Sequence, residues 1–139
     1  MNADCFYCMK DQRLDDLMIE VAPLQVSTLY FFKEQTHPGR CIVALNSHKS
    51  ELFDLSVEDQ ALFAQDMAKA AAAIAKVYSP QKINYAAFGD KLPHLHFHLV
   101  PKYENGAKWG TVFDMMPEER IYLSEEAYQD QIQSLRHSL

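Results

Sequence analysis

The run HLHFHLV, residues 94–100, constrains the fold more than any other stretch of the chain. Histidine occupies positions 94, 96 and 98, with Leu95, Phe97 and Leu99 at 95, 97 and 99. A two-residue period is that of a β-strand, whose successive side chains point to opposite faces. The apolar set therefore faces a core, and the three histidines line the other face, toward solvent or a pocket. A strand of this kind needs an apolar layer to cover it. Residues 56–78 predict that layer, because Phe63, Met67, Ala70, Ile74 and Val77 recur at helical steps and Ser56 with Asp59 forms a capping pair. Ala70 to Ala73 and Ala75 raise helix propensity and allow close packing on a sheet, and Pro80 stops the helix.

Five more segments read as regular structure. DLMIEVAP (16–23) and STLYFFK (27–33) predict paired strands, and CIVALN (41–46) a well-buried strand following the turn THPGR. INYAAF (83–88) predicts a strand joined through GDKLP to the triad strand at 94–101, and Ser124 starts a short C-terminal helix running toward Arg136. No repeat, low-complexity tract or linker divides the chain, so residues 1–139 are expected to form one domain. Strand pairs on either side of one long helix imply an α+β fold with helices on one face of an antiparallel sheet.

Along the triad strand, neighbouring histidines stand roughly 7 Å apart at Cα and the outer two roughly 13 Å apart. Zinc needs each ligand nitrogen within about 2.1 Å, so one ion cannot use all three. Three surface histidines hydrogen-bonded to water would give the same pattern, but strict alternation makes chance placement less convincing. Imidazole is suited to proton transfer and nucleophilic attack near neutral pH.

A second motif lies at the N-terminus. Cys5 and Cys8 form a C-x-x-C pair that can grip one zinc from a tight turn, with His48 and His94 as candidates for the remaining ligands at the ends of strands. A thioredoxin-like redox pair is the competing reading, although that motif follows a strand and opens a helix. Unmodified buried cysteines are the third. Cys41 sits within an apolar run and reads as core.

The charge balance excludes some partners. A net charge of −6 gives no broad basic footprint for a nucleic-acid polymer or an anionic membrane, so an anionic substrate must be met by donors in a pocket. The N-terminal residues MNADCFYCMKDQR lack the pattern of a signal peptide and no stretch approaches the roughly 18 apolar residues of a membrane span. Three cysteines, an odd number, suit a reducing compartment. A soluble, cytoplasmic protein is expected.

With these residues in hand, the sequence resembles the histidine triad (HIT) family, whose signature is His-φ-His-φ-His-φ-φ with φ apolar. HLHFHLV matches it completely, and PGRCIVALNSHKSELFDLS, KINYAAFGD and CFYC extend the likeness over roughly residues 5–103. The resemblance implies a HIT-like five-stranded antiparallel sheet, usually in a homodimer, acting on nucleotides joined through phosphate to a leaving group. It implies a hydrolase or nucleotidyl transferase cleaving a phosphoric anhydride or phosphoramidate bond at the α-phosphate, in dinucleoside polyphosphates or nucleoside phosphoramidates. By position, His96 is the nucleophile that forms a covalent nucleotidyl-histidine, and His98 contacts the phosphate. Cys5, Cys8, His48 and His94 match the ligands of the zinc-containing branch, a structural zinc with no organic cofactor. His94 then joins the metal while His96 and His98 stay free.

Two positions depart from the family. Where members commonly carry a histidine after the turn glycine, this chain has Arg40, with His37 nearby; Arg40 reads either as a bidentate phosphate donor or as an exposed strand-edge charge. Where many members have a Gly-Gln or Gly-Asn step before the triad, it has Gly89 and Asp90, and that carboxylate is unfavourable beside an anion unless protonated, paired to Lys91 or turned away. Glu34 is the counterpart of the family's acidic ribose contact. Trp109, Tyr103 and Phe113 read as base-pocket, interface or core residues. These departures keep open a HIT-fold nucleotide-binding or interaction module with little turnover. A third reading, hydrolysis by zinc-activated water, needs an open coordination position that four protein ligands do not leave.

Overall fold

The computed structural model describes residues 2–139. Five strands form one antiparallel sheet in the order β1-β2-β3-β5-β4, with β1 Met18–Pro23, β2 Ser27–Phe32, β3 Cys41–Leu45, β4 Lys82–Ala86 and β5 His96–Lys102. The long helix α3, Val57–Tyr78, crosses from β3 to the far edge strand β4, so that β5 returns to fill the gap between them. The C-terminal helix α4, Glu125–Ser138, packs beside α3. The expected HIT-like α+β architecture is present.

The sequence period explains how the layers meet. Leu29 and Phe31 of β2, Cys41, Val43 and Leu45 of β3, and Leu99 of β5 point to one side and pack with Phe63, Ala70 and Ile74 of α3 and Ile132 and Leu135 of α4. Ser56 caps α3 as expected, its Oγ accepting from the Asp59 N–H at 3.1 Å. Asp66, buried on the same helix, accepts from the N–H groups of Gln25 and Val26 and the hydroxyl of Ser27, tying α3 to the β1–β2 turn. With Gln25 Nε2 also donating, the carboxylate accepts from four donors, which is what burial of such a group requires.

The opposite face corrects the expectation that helices lie on one side only. Two short helices, α1 Phe6–Met9 and α2 Gln12–Leu17, cover Tyr30, Phe32, Ile42 and Ala44 there. Asp16 and Leu17 belong to α2, whose N-cap is the Asp11 carboxylate, so the first strand starts at Met18 rather than at 16. The β4 strand likewise ends at Ala86, leaving Ala87 and Phe88 in the following loop. His94 stands ahead of the β5 ladder, held by its own side chain rather than by strand pairing. The C-terminal helix is longer than expected, extending past Arg136 to Ser138.

Between β5 and α4, residues 104–123 run back across the sheet without regular structure. Lys102 donates from Nζ to the carbonyls of Lys108 and Thr111, and the Gln35 N–H donates to the Ile121 carbonyl at 2.8 Å. This strap brings Phe113 into the interior. At the β2–β3 turn, Gly39 has φ +91°, and a Cβ there would stand 2.7 Å from the Tyr78 ring, so this turn accepts only glycine without repacking the end of α3.

Candidate active site and metal centre

The register of β5 places the histidines. His98 lies opposite Ile42 of β3 and Ala86 of β4, and His96 lies opposite Ala44. All three are buried on the face covered by α1: the ring of Tyr7 lies 5.2 Å from that of His94 and 5.2 Å from that of His96. The face is thus a lined interior, not a solvated surface.

His96 Nδ1 stands 2.6 Å from the backbone carbonyl oxygen of His94. A carbonyl oxygen only accepts, so Nδ1 carries the proton and Nε2 keeps its lone pair. Burial lowers the His96 pKa, against a smaller opposing effect of that hydrogen bond. His98 is lowered further, to about 3, by burial first and then by Arg40 and His96. Both imidazoles are neutral at pH 7.

His94 has a separate place. Its Nε2–H donates to the Leu45 carbonyl at 2.6 Å, which leaves Nδ1 free to turn toward the N-terminal cysteines. Cys5 Sγ lies 3.3 Å from that nitrogen, Cys8 Sγ 3.5 Å, and His48 Nδ1 3.1 Å, while Cys8 Sγ and His48 Nδ1 are 3.2 Å apart. Ligand atoms around a tetrahedral zinc, with bonds of about 2.3 Å to sulfur and 2.0 Å to nitrogen, stand roughly 3.3–3.8 Å apart. The four donors converge within 4.8 Å, close to that spacing, and two thiols with two imidazoles are a zinc donor set. Burial raises the Cys5 pKa, and a cation among the four would reverse that preference.

Arg40 is not an exposed strand-edge charge. It is completely buried, with its guanidinium carbon 4.1 Å from the centroid of Phe32 and 5.0 Å from that of Phe113. Its Nη1 donates to the carbonyls of Asp114 and Met115, and its Nη2 lies 3.3 Å from His98 Nδ1. Burial pulls its pKa down to about 10, so it stays charged.

Glu34 also has internal employment. Its carboxylate accepts from the Thr36 N–H and hydroxyl and from the Ile121 N–H at 2.8 Å, and the side chain is buried. It pins the strap, and a ribose contact would have to compete with those donors. Gly89, with φ +137°, and the exposed Asp90 lie in the loop between β4 and the triad, next to Phe88, whose ring is 6.1 Å from that of His98. Asp90 forms no ion pair with Lys91 among the described residues.

Beside His98 opens a cavity of about 860 Å³, lined by Asn84, Phe88, Lys102, Trp109 and Phe113 among others. Its walls do not include the histidines themselves; Phe88 and Phe113 form the shared boundary. Sequence reasoning missed Tyr7 and the packing of Phe113 against Arg40, although it read Phe113 as a base-pocket, interface or core residue and the ring is buried at the cavity boundary. Tyr7 was accessible in principle, because a residue between two cysteines that reach His94 must pass over the triad. Phe113 carries no such signal, since nothing local ties residue 113 to residue 40.

With this geometry in place, comparison with known families is decisive: the HIT domain matches residues 29–105, more than half of the chain. The chain belongs to the HIT family. No curated protein matches it. Among solved structures, it is similar to a histidine triad protein from Sinorhizobium meliloti (TM-score 0.84, 22% identity, 93% of this chain and 95% of that one). It is also similar to a hypothetical histidine triad nucleotide-binding protein from Sulfolobus tokodaii (0.72, 17%, 96% and 91%) and to a zinc-bound histidine triad family protein from Mycobacterium smegmatis (0.66, 20%, 96% and 91%). At these identities the likeness establishes the shared fold. No helix among the described residues is long and apolar enough to cross a membrane.

Proposed function

We propose that this HIT protein is a nucleotide hydrolase or nucleotidyl transferase acting at the α-phosphate of dinucleoside polyphosphates or nucleoside phosphoramidates. The observation that carries the reading is the contact of His96 Nδ1 with the His94 carbonyl, which leaves an unprotonated Nε2 as nucleophile. Nε2 attacks phosphorus, a P–N bond forms, and the P–O or P–N bond to the leaving group breaks, with the leaving group taking up a proton. Water then attacks the nucleotidyl-histidine, the P–N bond breaks, and nucleoside monophosphate departs. His98 meets the phosphate, and the loop at Gly89 and Asp90 borders it. Developing charge on the phosphate oxygens is the quantity such donors stabilise.

Cys5, Cys8, His48 and His94 would hold a zinc ion in this reading. Four protein ligands leave no open position, so the ion would supply structure, anchoring α1 over the triad, and no activated water. The zinc-bound relative from Mycobacterium smegmatis supports that assignment. No organic cofactor is required. Residues 1–139 form one HIT domain in this proposal, a homodimer in the cytoplasm, where reducing conditions keep Cys5 and Cys8 as ligating thiolates.

A second reading, nucleotide binding with little turnover, is favoured by one observation: His98 is only 4% exposed beneath the strap. The test that separates them incubates the protein with diadenosine polyphosphates and adenosine phosphoramidates and follows nucleoside monophosphate release. Wild type is expected to turn over and His96→Ala to lose several orders of magnitude while still binding nucleotide. Equal release by both sinks the covalent mechanism, and tight binding without release by wild type supports the second reading.

A further inference from the structure

Arg40 is the largest fully buried side chain of the protein, and it has no carboxylate partner among the described residues. Burying an unpaired cation is costly, and two phenyl faces with two backbone carbonyls offset only part of that cost. Its Nε is left without any hydrogen-bond partner. Stability alone therefore does not account for an arginine at this position.

The contact with His98 does. A guanidinium has only donors, so the 3.3 Å approach of Arg40 Nη2 to His98 Nδ1 can run in one direction: Nη2–H donates and Nδ1 accepts. His98 must then carry its proton on Nε2. His96, two residues away on the same face with its ring centroid 5.3 Å from that of His98, is held in the opposite tautomer by a carbonyl oxygen. Two adjacent imidazoles of one residue type are thus set apart by the chemistry of what touches Nδ1: an acceptor for His96, a donor for His98.

We propose that Arg40 is a positioning residue that fixes His98 in its Nε2–H tautomer, making His98 a hydrogen-bond donor to the phosphate or leaving group rather than a competing nucleophile. The catalytic consequence rests on the nucleotidyl-transfer reading above, while the tautomer does not. Direct phosphate binding by Arg40 is a different role, because Nη1 and Nη2 are already engaged by Asp114, Met115 and His98. The same arginine keeps His98 neutral, reinforcing the effect of burial.

The test is a long-range proton–nitrogen NMR correlation of the histidine rings in the ¹⁵N-labelled full chain. Wild type is expected to show His98 with an unprotonated Nδ1 and a protonated Nε2, and His96 with the reverse. A protonated His98 Nδ1, or an averaged pair, overturns the proposal. In Arg40→Met, which keeps the aromatic packing and removes the donor, the His98 pattern should average while that of His96 holds, and Arg40→Lys should restore it in part. An unchanged His98 pattern in Arg40→Met also overturns it, and if that variant does not fold, the wild-type spectrum decides. In monophosphate release, Arg40→Met should lower kcat by roughly 10²-fold, with KM changed by no more than about threefold. A large rise in KM with kcat retained would make Arg40 a phosphate ligand instead. If wild type releases nothing from any substrate, the nucleotidyl-transfer reading fails and the spectrum still decides the tautomer.

Discussion

The two faces of the sheet are held by different forces. On one, α3 and α4 bury an almost entirely apolar layer in which Phe63, Ile74, Leu99 and Ile132 are completely enclosed. On the other, α1, α2 and the strap cover a layer built from histidines, an arginine, two cysteines and a few aromatic rings, joined by hydrogen bonds of fixed direction. Non-directional packing tolerates repacking, whereas a hydrogen bond fails when one partner is removed. The helix face therefore sets stability, and the histidine face spends some of it on geometry.

The strongest challenge to this contrast is removal of the zinc proposed for Cys5, Cys8, His48 and His94. Chelation, or Cys5→Ser with Cys8→Ser, should abolish zinc in metal analysis and give the largest stability loss of any change considered, since structural zinc sites are worth on the order of 10 kcal/mol in the smallest domains. Hydrogen exchange should show that loss confined to α1, α2 and the chain around His48 and His94, with the amides of α3 still protected. Equal loss of protection in α3 would mean that the two faces are one cooperative unit. Phe63→Ala probes the other side. Emptying that site should cost about 3–5 kcal/mol in denaturant unfolding, with monophosphate release per folded molecule unchanged. A matching drop in kcat would break the separation of faces.

Acid sharpens the comparison with a smaller effect. His37, His96 and His98 all have folded pKa values depressed chiefly by burial. The unfolded chain takes up protons on these groups below about pH 6.5 while the folded chain does not, so the stability they contribute is complete above that pH and is lost as pH falls toward the folded values. Each should steepen the decline by about 1.4 kcal/mol per pH unit. His98→Gln should flatten that slope in a melting series from pH 7 to 4; an unaltered slope would show that His98 titrates normally.

What was legible in the sequence follows the same division. The helix face could be read from periodicity, because the spacing of Phe63, Met67, Ala70 and Ile74 carries its own geometry. The convergence of Cys5, Cys8, His48 and His94 was legible through donor chemistry and family likeness. Burial of Arg40 and internal use of Glu34 were not, since both depend on residues 113–121 crossing back over the sheet, a segment with neither period nor motif. The start of β1 was misplaced because an Asp-capped helical turn and an amphipathic strand share the residues DDL at their junction. The strand boundary at His94 moved for a related reason: a side-chain bond, invisible to pattern, holds that residue in place of the ladder.

His94 acts through three atoms at once. Nδ1 faces the cysteines, Nε2 holds the Leu45 carbonyl, and its own carbonyl receives the proton-bearing nitrogen of His96. Only the third of these reaches His96, the nucleophile of the proposed mechanism, and every amino acid has a backbone carbonyl. A substitution at position 94 that leaves the backbone in place therefore keeps the hydrogen bond to His96 while removing one of the four converging donors. A substitution of His96, by contrast, removes the ring nitrogen on which the proposed mechanism rests.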